Sequence, residues 1–86
     1  MQINPNEAER EGTMARTKSE KLMDIIKSKG ITVTWLAKRL GISREGLYLK
    51  IKNDSQFRQQ EIFTLCNELG LSLTEMQDIF FTDEVD

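Results

Sequence analysis

The two side chains that most often mark a nucleophilic or metal site are nearly absent from these 86 residues: there is no histidine, and the one cysteine is Cys66. A thiol without an imidazole beside it has no general base, cannot form an internal disulfide, and leaves no cluster of metal ligands. No pair of carboxylates sits on an apolar wall that would split their pKa values for acid–base work. These absences predict a protein that is not an enzyme and uses neither cofactor nor metal. The cations are the informative residues. Residues 15–58 hold eleven Lys and Arg against four Asp and Glu, while residues 59–86 hold seven acids and no base. The formal net charge of −2 averages over that division. Such asymmetry points to a basic binding face beside an acidic flank, suited to a phosphate-bearing partner.

The elements that must position these charges are short helices. Residues 1–16 carry the only proline, Pro5, have no helical periodicity and few apolar side chains, and read as a disordered arm. Met14 offers an alternative start, which would make the preceding residues an upstream extension. A domain over residues 17–82 then precedes an acidic tail, 83–86. A first helix near 18–29 places Leu22, Ile25 and Ile26 on one face and stops at Gly30. A second runs from Thr32 to Leu40, with Val33, Leu36, Ala37 and Leu40 forming one apolar stripe. Gly41 ends it, and Ser43 caps a third helix near 44–52. Asn53, Asp54 and Ser55 read as a turn. A fourth helix near 59–69 places Ile62, Leu65, Cys66 and Leu69 inward before Gly70. Ser72 and Glu75 form a capping box for a fifth helix with Leu73, Met76, Ile79 and Phe80 on its apolar side. The expected fold class is all-α, a compact five-helix domain.

The third helix decides the functional reading. Only Leu47 and Ile51 share an inward face, so most of its surface points outward. Two helices cross closely at a steep angle only when a small residue sits at the contact and a tight turn joins them, with apolar side chains closing the wedge. Ala37 is the small residue, Gly41 the turn, and Leu36, Leu40, Ile42 and Leu47 the wedge. Ala37, Gly41 four residues on, and an aliphatic six beyond it are the spacing of a DNA-binding helix-turn-helix, whose second helix enters the major groove.

The stretch ITVTWLAKRLGISREGLYL, residues 31–49, with LGLSLTEM further on, resembles the Cro and lambda-repressor-like (XRE-type) helix-turn-helix regulators, notably short phage-type ones. The resemblance runs from about Lys18 to Phe81. It implies a lambda-repressor-like DNA-binding domain, operator binding commonly as a dimer, and repression or activation of a nearby promoter. Carried over by position, it implies base reading by Ser43, Arg44, Glu45, Tyr48 and Leu49. DNA-backbone contacts fall to Thr32, Thr34, Lys38, Arg39, Lys50, Lys52 and Asn53. Two residues depart from the family pattern: Gly46 lies inside the reading helix at a cost of about 1 kcal/mol relative to alanine, and Trp35 stands where many relatives carry a polar side chain.

The expected partner is therefore double-stranded DNA carrying a pseudo-palindromic operator. Adjacent helical positions point about 100° apart, so Phe80 and Phe81 cannot share one small core. That leaves Phe81, with the fifth helix, for a homodimer contact. A protein-interaction module on the same scaffold (antitoxin, antirepressor or adaptor) is the competing reading, favoured by the acidic fifth helix. No apolar run approaches the eighteen or so residues that cross a bilayer, and no signal-like segment opens the chain. No membrane association and a cytoplasmic location are expected.

Overall fold

The computed structural model describes residues 16–82. Most of the expected arm, with Met14, and the tail at 83–86 lie outside the described residues. Five α-helices follow in order: α1 Ser19–Ser28, α2 Val33–Leu40, α3 Arg44–Ile51, α4 Gln59–Leu69 and α5 Leu73–Phe80. The expected helix ends are met within one or two residues because local chemistry sets them. Thr32, Ser43 and Ser72 each accept a hydrogen bond from the backbone N–H three residues on. Gly41 and Gly70 close α2 and α4 in the left-handed conformation, at φ 73° and 67°.

The apolar stripes converge on one core. Leu22, Ile26, Leu36, Leu47, Ile51, Leu65, Leu69 and Ile79 are fully buried. The predicted wedge is present, with Ala37, Leu36 and Leu47 buried and Leu40 and Ile42 packed against them. α2 packs on α3 and α4, and α5 packs on α1 and α4. Phe57, in the α3–α4 loop, meets Phe80 edge to face at 5.4 Å and closes the base of the core. Leu73, placed inward from sequence, is exposed: it opens α5, and the arc of Met76, Ile79 and Phe80 turns inward only one turn later. Cys66 is half-buried beside the core, which raises its thiol pKa.

The segment before α1 is tied to the end of α5. Arg16 pairs with Thr82 in an isolated antiparallel bridge, and the Lys18 N–H donates to the Ile79 carbonyl at 2.8 Å. Asp78 on α5 accepts from Lys18 and Lys21 on either side of the start of α1. Those two ammonium groups, Lys21 foremost, hold the Asp78 carboxyl down at about 2.

Candidate nucleic-acid interface

α3 is eight residues long and buries only Leu47 and Ile51. Ser43, Arg44, Glu45 and Lys52 are exposed, Leu49 is 46% exposed, and Tyr48 is half-buried. All five residues expected to read bases are thus in or beside one helix, with side chains wholly or partly at the surface. Arg44 is the first residue of α3, where the helix carries its positive partial charge and a cation is disfavoured by about 0.3–1 kcal/mol. Its guanidinium lies 5.4 Å from the Tyr48 ring centroid, one turn on. The aromatic face thereby holds in place a base that the helix end would repel.

Gly46 has a local reason. Its N–H donates to the Ser43 hydroxyl at 2.9 Å, and a Cβ at this position would stand 3.1 Å from that same oxygen. A side chain here would crowd the cap that starts the helix.

The residues expected on the DNA backbone separate into two groups. Thr34 and Lys38, one turn apart on α2, are exposed, as are Thr32 at the α2 cap and Lys52 at the end of α3. Lys50, Arg39 and Asn53 are turned to partners within the protein. Lys50 donates to Glu61 at 2.7 Å, with both side chains largely shielded from water. Burial pushes the Glu61 carboxyl up. The hydrogen bonds from Lys50 and from the Arg58 N–H, with the charges of both residues, outweigh that and leave its pKa below the ordinary value. Arg39 pairs with Glu68 at 2.8 Å and lies 5.7 Å from the Trp35 ring centroid, so the unexpected tryptophan serves as a platform for this cation. Asn53 bonds the backbone of Thr17.

These pairs join the basic face and the acidic flank. Every acid on α4 and α5 has a partner: Glu61 with Lys50, Glu68 with Arg39, Asp78 with Lys18 and Lys21, and Glu75 in the α5 capping box. The acidic half neutralises part of the basic half. What stays outward on α2 and α3 is the smaller set of Lys38, Arg44 and Lys52. The sequence reading passed over Arg58, an exposed base at the start of α4, which with Arg39, Gly41 and Thr64 lines a polar cleft of about 300 Å³ beside the α2–α3 turn. Its place just before an eleven-residue helix was the available signal.

A capped helix, a left-handed glycine turn and a second, outward-facing helix form the core of a helix-turn-helix unit. The family model of the Cro/C1-type HTH DNA-binding domain matches residues 21–80. The chain belongs to this family. No curated protein and no solved structure matches it significantly. As a Cro/C1-type domain the chain is a DNA-binding regulator, and the match spans all five helices, beginning two residues inside α1. No helix among the described residues is long and apolar enough to cross a membrane.

Proposed function

We propose that the protein is a sequence-specific transcriptional regulator of the phage type, reading operator DNA with α3. The observation that carries this is the state of α3 itself: the helix buries two side chains and keeps at its exposed N-terminus the cation of Arg44, which lies over Tyr48 and has no ion pair among the described residues. Arg44 has the reach for a bidentate contact to guanine O6 and N7, with Glu45, Tyr48, Leu49 and the Ser43 hydroxyl as its neighbours on base edges. Thr32, Thr34, Lys38 and Lys52 serve the phosphates. Lys50, Arg39 and Asn53 are left out of the contact set because their polar groups are engaged within the fold. Selection of binding sites from a random duplex library, followed by footprinting on the DNA flanking the gene, tests the reading. Enrichment of a defined site supports it, and uniform recovery of all sequences overturns it.

Operator binding as a two-fold dimer on a pseudo-palindrome belongs to the same proposal. Phe80 is buried and Phe81 is 51% exposed. Phe81 lines a groove of about 520 Å³ with Phe63, Ile62, Met76, Gln59 and Gln60. No charged side chain lines it, so a copy related by a two-fold axis meets no like charge there. Half-sites then fall about one helical turn apart. A mass corresponding to two chains on one selected site is the expected result in sedimentation, and a single chain on that site removes the pairing. The same groove also favours the second reading, an adaptor or antitoxin that binds another protein through α4 and α5; uniform recovery in the selection would favour it.

A further inference from the structure

The left-handed residues that follow helices fall into two kinds. Gly30, Gly41 and Gly70 close α1, α2 and α4 at φ 71°, 73° and 67°, as expected where a Cβ is penalised. After α3 the same conformation is taken by Asn53, at φ 69°, the only non-glycine residue with positive φ among those described. The cap around it is complete: the Asn53 N–H donates to the Lys50 carbonyl and the Asp54 N–H to the Leu49 carbonyl, the two bonds of a Schellman motif. Glycine would make both bonds with less strain. The asparagine is therefore explained by its side chain. Its Oδ1 accepts from the Thr17 N–H at 2.8 Å, and its Nδ2 donates to the Thr17 carbonyl at 2.9 Å. Thr17 is buried, and Ser19 adds a third link by donating its hydroxyl to the Ile51 carbonyl.

We infer that Asn53 is a positioning residue for DNA reading: it clamps the end of α3 to the strand-like segment at Thr17 and so fixes the direction in which α3 presents Arg44 and Tyr48. The inference rests on α3 being the reading helix. Leu47 and Ile51 seat α3 in the core and Lys50 ties its outer side to Glu61 on α4, while the bonds from Asn53 and Ser19 are its links to the segment before α1. The clamp acts at the end opposite Arg44, where a small rotation is carried through the whole helix. The same segment is bonded to α5 through Lys18 and Arg16, so the clamp also refers α3 to the end of α5.

Asn53→Gly isolates the clamp, because it keeps the left-handed cap and removes only the side-chain bonds. Asn53→Asp keeps the acceptor for the Thr17 N–H and loses the donor. The expected result for Asn53→Gly is a protein that still folds but melts at a lower temperature, because the buried Thr17 N–H and carbonyl lose their partners, and in which the Thr17 amide exchanges faster with solvent. Its preference for the selected site over random DNA should fall by about two- to thirtyfold, the range in which positioning changes couple to a site. Asn53→Asp should fall at least as far, because its second carboxylate oxygen then faces the Thr17 carbonyl oxygen. A folded Asn53→Gly protein with the parent's specificity ratio, or with unchanged Thr17 exchange, overturns the inference while leaving the DNA reading intact. A parent that selects no site overturns both.

Discussion

Two stretches of the chain are written almost alike and do different work. LAKRLGIS, residues 36–43, and LCNELGLS, residues 65–72, share leucines, glycine and serine at the same spacing. Both fold alike: a helix ends at a left-handed glycine and a serine caps the next helix. They part at the residues between and just beyond. Lys38 and Arg39 in the first correspond to Asn67 and Glu68 in the second, and Arg39 pairs with Glu68, its own counterpart. Three residues past each serine stand Gly46 and Glu75. Glu75 accepts a hydrogen bond from the Ser72 N–H and completes a capping box, whereas Gly46 has no side chain to accept one from the Ser43 N–H. α5 is thereby closed and its acids are spoken for, while α3 buries only two core residues and offers Arg44 outward. Shared punctuation sets where helices begin and end, and the residues around it decide which helix is free to bind.

The largest expected effect tests whether Lys50 belongs to the closed half or the open one. Lys50→Ala strands Glu61 in a largely buried position, and removing one partner of a buried pair costs several kcal/mol when burial is complete. With partial shielding, the loss should be about 1–3 kcal/mol of unfolding free energy, read by chemical denaturation. Lys52→Ala, two positions on and exposed, should change stability by less than about 0.5 kcal/mol. A stable Lys50→Ala protein with weakened DNA binding would instead return Lys50 to the interface.

Next in size is the contrast within α3. Arg44→Ala should lose about 1–3 kcal/mol on the selected site and less on random DNA, because a base contact carries sequence information. Lys52→Ala should weaken both alike and lower the slope of log K against log salt by about 0.9, the signature of one phosphate contact. Titrations at several salt concentrations on both DNAs check the pair of expectations. Equal losses for Arg44→Ala on the two DNAs would make it a backbone contact and leave the base reading to Tyr48, Glu45 and Leu49.

How much of this was legible in the sequence follows from the range of each interaction. Helix ends depend on residues three or four apart, so Thr32, Gly41, Ser43 and the box of Ser72 with Glu75 could be read directly. The core stripes were equally legible, apart from Leu73, whose place at the first position of α5 keeps it outside. The pairs of Lys50 with Glu61, Arg39 with Glu68 and Asn53 with Thr17 join residues 11, 29 and 36 apart. Nothing local distinguishes such a base from a phosphate-binding one. The candidate site was therefore readable as a helix and a face, while the partners that three of its expected backbone contacts have within the fold were not.

A smaller effect concerns acid. The Asp78 carboxyl is held near 2 in the folded protein, against an ordinary 3.8, and Glu61 is also held below its ordinary value. A depressed carboxylate pKa contributes stability that is fully present above the unfolded value and is lost as pH falls through the folded one. Stability should therefore hold from neutral pH to about 4 and decline between about 4 and 2. Asp78→Asn should flatten that decline in thermal melts taken across the window, without altering DNA affinity at neutral pH. An unchanged acid profile would show that the α1–α5 bridge is too exposed to matter, as surface ion pairs often are.

The smallest expected effect lies at the position where the two phrases differ most sharply in their caps. Gly46→Ala should gain up to about 1 kcal/mol from helix propensity. Against that gain stands the crowding of the Ser43 hydroxyl, which a new methyl would approach to 3.1 Å. Loosening a serine cap costs about as much as the propensity returns. The net change in unfolding free energy should therefore be under about 0.5 kcal/mol. Affinity for the selected site should fall a few-fold, because Ser43 must shift at the start of the reading face. A full gain of about 1 kcal/mol would show that the cap yields without cost. Glycine would then be dispensable to the fold, and its place in α3 would have to be explained by the room it leaves at the DNA surface.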